Sequence, residues 1–271
     1  MNIQKQFKGF LSTPPLWDNG NFLGLKQFNL PVAEIPQEIL QNLHSSRSIL
    51  GKRVENFFEF LINNTSRYKV LLSNIQIHQE KIKLGEIDFL LKDLQEEKPY
   101  HIELVYKFYV YDPSFEDELH RWIGPNRRDS LLQKVQKLRE RQFPLLFRPE
   151  TGNLLKSAKL KAGNIHQQVC FKANLFLPKQ FNYKKIAHLN KACIAGYWIN
   201  FDAFKGEEYE KHKFYSPKKQ DWPVNPSYGR TWVTYEQIQL QIASFISREK
   251  APLVWMKKGD ETYERFFVVW W

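Results

Sequence analysis

The feature that most constrains the fold of this chain is a change of hydrophobic period along its first half. From Ser48 to Asn63 the apolar residues Leu50, Val54, Phe57, Phe58 and Leu61 recur at the spacing of one helix face, and the pattern ends at Asn63-Asn64. Three strand-like stretches follow. They are Lys69 to His78, Lys83 to Leu91, and Tyr100 to Tyr111, the last dense in aromatic and β-branched residues. Trp122-Ile123-Gly124-Pro125 reads as a turn. After it Asn126 can cap a helix, with Asp129 at the third helical position, that runs to about Gln142 and stops before Pro144. Ile165, Val169, Phe171, Ala173, Leu175 and Leu177 then share one parity of a further strand. Helix, three strands, helix and strand in that order predict an α/β or α+β domain with its core in the first two thirds of the chain.

The flanks are less regular. The first thirty residues mix Pro, Gly, Asn and aromatics without a period and read as a packed, irregular lead-in, before a short helix at Pro36 to Leu43. Lys184 to Trp198 fits either helix or strand, and 201–230 is rich in loop formers. Thr234 with Gln237 resembles a capping box opening a helix through Ser247, and a hairpin of Leu253 to Met256 and Tyr263 to Trp270 closes across Gly259-Asp260. The expected division is a lead-in over 1–47, an α/β core over 48–200 and a mixed extension over 201–271, the extension packing on the core or standing apart.

Composition narrows the function classes. Hydrophobic residues at 42% and aromatics at 15% exclude wholesale disorder. No apolar run approaches the ~20 residues of a membrane span, and the start lacks a signal-peptide core, so a soluble cytoplasmic protein is expected. Cys170 and Cys193 are too few for a disulfide framework or a cysteine-rich zinc site and read as buried thiols. Phosphate-cradling, dinucleotide-binding and nucleophile-elbow glycine motifs are lacking. The net charge of +11 is concentrated: between Glu150 and Asp202 no acidic residue interrupts Lys156, Lys159, Lys161, Lys172, Lys179, Lys184, Lys185 and Lys191. Such a run suits either a solvated surface or a face for a polyanion, nucleic acid above all.

The residues that can carry chemistry lie on two consecutive strands, Gly85-Glu86-Ile87-Asp88-Phe89-Leu90-Leu91 and His101-Ile102-Glu103-Leu104-Val105-Tyr106-Lys107. Alternation puts Glu86 and Asp88 on one face of the first, and His101, Glu103, Val105 and Lys107 on one face of the second. Joined by a short turn the strands are neighbours, and Asp88 can face Glu103. Two unpaired carboxylates in a half-buried sheet are costly, and a divalent cation would remove the cost. Oxygen ligands plus waters suit Mg²⁺ or Mn²⁺, and a nearby lysine could position or deprotonate an attacking water. The same residues also suit an ordinary polar strand face, with Glu103 and Lys107 as a structural ion pair and His101 as a hydrogen-bonded residue.

A helix bearing a Glu, then Gly-Glu-Ile-Asp, then Glu with a following Lys on the next strand, then a helix, resembles the PD-(D/E)XK nuclease superfamily, especially its Holliday-junction-resolvase-like members. The similarity spans roughly 48–145. Leu50-Gly51-Lys52-Arg53-Val54-Glu55, Gly85 to Leu91, Glu103 to Tyr109 and Trp122 to Leu131 together also resemble an uncharacterised bacterial family of domain-of-unknown-function proteins, over nearly the whole chain. That second resemblance names no activity.

The superfamily resemblance implies a restriction-endonuclease-like core with a mixed C-terminal extension, and Mg²⁺-dependent phosphodiester hydrolysis of nucleic acid, DNA being the first candidate. It implies Asp88 and Glu103 as metal ligands with the Leu104 carbonyl, Glu86 as a further candidate ligand, and Glu55 as an outer ligand or its orienter. Its usual lysine stands two residues after the glutamate. Here Val105 takes that place and Lys107 lies two further on, some 7 Å along the strand at about 3.3 Å per residue. Lys107 must lean back to serve, or Lys134 on the next helix substitutes. Arg127 and Arg128, in the first turn of that helix, and the lysines at 156, 159, 161, 172, 184 and 185 would meet phosphates. Dimers are common in the superfamily, so a homodimer is among the expected states. The rival reading is an inactive nuclease-fold module that binds nucleic acid or an acidic protein.

Overall fold

A computed structural model describes residues 2–18, 20–32, 35–43, 49–182, 186–259 and 261–271. Its helices are α1 (Ile3–Ser12), α2 (Gln37–Leu40), α3 (Leu50–Asn63), α4 (Leu131–Lys137), α5 (Pro149–Ser157) and α6 (Tyr235–Ile246). Its strands are β1 (Asn21–Phe22), β2 (Leu25–Lys26), β3 (Tyr68–Gln79), β4 (Ile82–Asp93), β5 (Pro99–Tyr111), β6 (Trp122–Ile123), β7 (His166–Pro178), β8 (Ile194–Asn200), β9 (Lys213–Tyr215), β10 (Leu253–Lys257) and β11 (Tyr263–Val269). Apart from the β1–β2 ribbon, the strands make a mixed nine-stranded sheet. This is a mixed α/β protein, with six α-helices among the described residues. No helix among the described residues is long and apolar enough to cross a membrane.

The chain forms two compact units whose segments interleave. An inner unit takes 15–106 and 133–172; a terminal unit takes 1–14, 107–132 and 173–271. The division falls within β5 and β7.

In the inner unit the strand order is β3-β4-β5-β7. The apolar stripe of α3 is buried, and its Phe58 packs on Phe89 of β4 with ring centroids 4.6 Å apart, while Phe28 joins Phe58 and Tyr68. A second cluster gathers Ile77, Ile87, Leu90, Leu145, Leu146, Leu155 and Ile165. Gly85 permits that packing, since a Cβ there would stand 2.5 Å from a Leu145 methyl. Burial of both parities of β7 from Val169 to Leu177 marks an interior strand.

The β4–β5 hairpin is registered by its turn. The Asp93 amide donates to the Lys98 carbonyl at 2.9 Å, and the Asp93 carboxylate accepts from the Gln95 and Glu96 amides at 2.9 and 3.1 Å. Pairing then runs Lys92 with Pro99, Leu91 with Tyr100, Leu90 with His101 and Phe89 with Ile102.

The terminal unit buries a largely aromatic core around Phe204, Tyr209, Phe214, Tyr235, Ile238 and Phe266 beneath α6. The α6 capping box forms, with the Thr234 amide donating to Gln237 Oε1 at 3.0 Å, and the β10–β11 hairpin pairs as its spacing suggested. Asp260 at its tip lies outside the described residues. Both cysteines are free and buried.

Two expectations are corrected. The lead-in is not irregular throughout, because residues 3–12 are helical: Asn2 Oδ1 caps the Gln4 amide at 2.8 Å, and Phe7 and Phe10 are buried. The helix after β6 begins at Leu131 instead of beside Asn126. Arg127 has a left-handed φ of 53° in a turn where its amide donates to the Gly124 carbonyl, Asn126 Oδ1 caps the Ala251 amide, and Asp129 binds Lys107. The side chains expected to start the helix are spent on other contacts.

Candidate functional site

The hairpin register that the Asp93 turn sets carries Asp88 and Glu103 to opposed positions just past the last pair, Phe89 with Ile102. There the two strands exchange side chains for ladder bonds: the Leu104 amide donates to Asp88 Oδ2 at 2.8 Å, and the Asp88 amide donates to the Glu103 carboxylate. The opposition read from the sequence is what the structure places there.

Glu103 is fully buried and held at both oxygens. His101 Nε2 lies 2.9 Å from Oε1. Gln167 Nε2 lies 3.0 Å from His101 Nδ1 and also donates to the Phe143 carbonyl, so the network assigns the imidazole proton to Nε2, donating to Glu103. Burial holds the His101 pKa down at about 4, keeping the ring neutral. On the other oxygen, Gln142 Nε2 donates to Oε2, and Lys134 Nζ donates to Gln142 Oε1 at 2.7 Å. Gln142 ends a wide, π-helical turn (Leu138–Gln142) that continues α4, a geometry that recurs at functional sites. No sequence motif marks Gln142 or Gln167, and neither was singled out from the sequence.

The electrostatics are those of a site with too much negative charge. Burial first, and Glu103 second, push the Asp88 carboxyl above its ordinary value, with Glu55 adding to the rise and the Leu104 amide and Lys134 opposing it. Burial likewise pushes Glu103 up, with Lys134, the Asp88 amide and Lys137 opposing and Glu86 adding. Glu55 and Glu86 are therefore within electrostatic reach, but each has a salt bridge of its own: Lys52 to Glu55 at 2.8 Å and Lys83 to Glu86 at 2.9 Å. No group of three or more His, Cys, Asp or Glu residues among those described is arranged to hold a metal.

The other expected site residues are placed as follows. Lys107 belongs to the terminal unit, where its Nζ pairs with Asp129 at 2.5 Å; Val105 is buried. Lys134 is the lysine that acts on both carboxylates. Arg127 pairs with Asp112 at 2.9 Å and lies 4.5 Å from the Trp271 ring centroid, and Arg128 is exposed ahead of α4. Lys156, Lys159 and Lys161 are exposed in the inner unit, whereas Lys172 is buried in β7. Lys179 belongs to the terminal unit and donates to Glu208 and Tyr209. Lys184 and Lys185 lie outside the described residues. The acid-free segment comprises the end of α5, strands β7 and β8 and the turns between them, and it is divided between the two units.

Fold and site together define a mixed α/β protein with two opposed carboxylates, Glu103 buried and Asp88 half-buried, at the open end of a β-hairpin. The chain belongs to the family described as Domain of unknown function (DUF1853), whose model matches residues 25–269. No curated protein and no solved structure matches the chain.

Proposed function

We propose that the protein is a Mg²⁺- or Mn²⁺-dependent phosphodiesterase of nucleic acid, working with a PD-(D/E)XK-like site in its inner unit. The observation that carries this reading is the Asp88–Glu103 pair: two carboxylates bonded across diverging strands, Glu103 buried and Asp88 half-buried, and both pushed toward protonation. An ordinary structural pair would be given a compensating cation, and among the described residues no lysine or arginine forms a salt bridge with either carboxylate.

The residues fit a hard divalent ion. Asp88 and Glu103 would hold it with the Leu104 carbonyl, waters completing the shell in the manner of Mg²⁺, and the hydrogen bonds on Glu103 are the kind that orient a ligating carboxylate. When bound, the ion would polarise the scissile phosphate and acidify a water. Lys134, anchored through Gln142, supplies positive charge beside the carboxylates for the attacked phosphoryl group. His101 and Gln142 hold Glu103 in one orientation, and Glu55 stays an outer group tied to Lys52. The exposed Lys156, Lys159 and Lys161 suit contact with the phosphate backbone. If about half the segment's eight lysines contribute, affinity falls with salt at a log–log slope of roughly −3 to −4 on duplex DNA.

The Lys107–Asp129 pair and the buried Val105 favour a second reading, an inactive nuclease-fold module. One experiment separates them. Wild type, Asp88→Asn and Glu103→Gln are compared for melting temperature with and without Mn²⁺, and for cleavage of labelled single-stranded and duplex DNA and RNA. The phosphodiesterase reading expects a Mn²⁺-induced rise and metal-dependent cleavage, both lost in the variants. A rise without cleavage supports the inactive module. Neither rise nor cleavage sinks the metal site.

A further inference from the structure

A large cavity lies wholly within the terminal unit, away in sequence from the carboxylate pair. It is an open cleft of about 1030 Å³ lined by α1, the β8 start, the 223–228 turn and the β11 start. A neighbouring hollow of about 400 Å³ shares Lys5 and Tyr228 with it and adds Tyr215 and Arg230. Two close backbone contacts shape its walls. A Cβ on Gly9 would stand 2.1 Å from the Pro223 carbonyl oxygen, and one on Gly196 would stand 2.0 Å from that of Arg265. Neither position accepts a side chain without moving backbone, so the cleft's outline is fixed by glycine.

Its chemistry is cationic and aromatic. Lys5 and Lys8, three residues apart on α1, present both ammonium groups on one side of the helix while Phe7 and Phe10 anchor the other in the core. Lys5 Nζ sits 4.1 Å from the Tyr228 ring centroid, and among the described residues neither lysine forms a salt bridge. Arg265 is held by its Nε donating to the Ala195 carbonyl at 2.7 Å. Of the two acids on the lining, Glu264 already accepts from Tyr197 at 2.9 Å and pairs with Lys258 at 2.8 Å, leaving the exposed Glu261 at the rim. Three tyrosines line the cleft as rigid plates. Tyr263 stacks on Trp232 at 5.6 Å, Tyr197 on Phe266 at 4.9 Å, and Tyr228 is exposed.

We infer that this cleft binds a short stretch of single-stranded nucleic acid, phosphates meeting Lys5, Lys8 and Arg265 and bases stacking on Tyr228 and Tyr263. Positive charge interleaved with aromatic faces is what a flexible, base-exposing polyanion needs, while duplex hides its bases and an acidic peptide makes no use of the stacking surfaces. The volume exceeds what one small ligand fills and is open at its side, which fits a strand passing through. The inference does not rest on the carboxylate site.

The test is fluorescence anisotropy of labelled oligothymidylate and oligouridylate, about ten nucleotides long, with full-length protein in the presence of chelator. The proposal expects binding with a log–log salt slope of about −2, from about three phosphate contacts on a single strand. It expects a loss of at least about tenfold in Lys5→Glu/Lys8→Glu and of about tenfold in Tyr228→Ala, with melting curves unchanged. Lys8→Glu alone, at an exposed position, guards against misfolding and should weaken binding severalfold. Repeating the titration with Asp88→Asn separates the two sites: unchanged affinity there shows that this cleft acts whatever the fate of the metal reading. Oligonucleotide affinity that survives both the lysine and the Tyr228 variants, absence of binding, or equal competition by polyglutamate overturns it.

Discussion

Strand β4 carries two aspartates five residues apart, Asp93 buried and Asp88 half-buried, and they are treated in opposite ways. At the turn end, Asp93 accepts from the Gln95 and Glu96 amides and pairs with Arg67 at 3.0 Å. Burial pushes its carboxyl up, but those donors outweigh burial and hold it below the ordinary value. At the open end, Asp88 receives one amide, faces a second carboxylate, and is pushed up. One hairpin therefore holds a charge that is complemented and a charge pair that is not. The first sets the register, and the second inherits its geometry from that register. Asp93 is given two amides and a guanidinium where Asp88 is given one amide and a second carboxylate, and the metal site proposed above rests on that difference.

The comparison can be broken at either end. The largest effect belongs to Asp93→Ala, which strands two amides and leaves Arg67 only its longer pair with Glu96 at 3.5 Å. A loss of about 2–3 kcal/mol by denaturant titration is expected, mostly from the amides, because Arg67 is 42% exposed and its ion pair is screened. A loss under about 0.5 kcal/mol would show that the turn does not fix the hairpin. Asp88→Asn should do the reverse in metal-free protein at pH 8, raising stability by about 1 kcal/mol by removing an uncompensated charge while an amide oxygen still accepts from Leu104. It should also abolish any Mn²⁺-induced rise in melting temperature. Gln142→Leu falls between them in kind: it removes a neutral donor from Glu103 and the anchor of Lys134, costing about 1 kcal/mol. Mn²⁺ should still stabilise that variant, since both ligating carboxylates remain.

Much of this was legible in the residues, for physical reasons that differ by element. The stripe from Leu50 to Leu61 and the three strands after it follow from period alone, and Asp88 opposite Glu103 follows from alternation plus a short turn. The hairpin at the C-terminus and the Thr234 capping box were likewise local signals that tertiary contacts left intact. The start of α4 was not, because Asn126 and Asp129 are good capping residues whose oxygens are claimed by Ala251 and Lys107. Helix α1 had a signal in Asn2 and the Ile3, Phe7, Phe10 and Leu11 spacing, masked by the Pro- and Gly-rich residues that follow. The identity of the lysine beside the site could not be settled from spacing, since Lys107 and Lys134 differ in partners that only the folded chain reveals. Gln142 reaches Glu103 through a wide turn that has no sequence signature.

The smallest and most discriminating effect concerns pH. Asp88 and Glu103 have folded-state pKa values above their unfolded values, so in metal-free protein their contribution is whole below the ordinary carboxylate range near 4 and is lost as pH rises toward and through neutrality. His101, held down at about 4, acts in the other direction: its contribution is whole above the unfolded value of about 6.5 and is lost as pH falls toward 4. Asp93, with its carboxyl held low, loses its contribution only as pH drops below the ordinary carboxylate range. Chelator-treated wild type should therefore lose melting temperature from pH 6 to pH 9, by a few degrees, and Asp88→Asn should lose less. Saturating Mn²⁺ should flatten or reverse the wild-type slope, because a bound divalent ion favours the ionised pair and its affinity rises with pH. A metal-free melting temperature that climbs over that range, or one whose slope is the same in wild type and Asp88→Asn, would mean that the open end of the hairpin is as well compensated as the turn end, and the contrast between the two aspartates would fall.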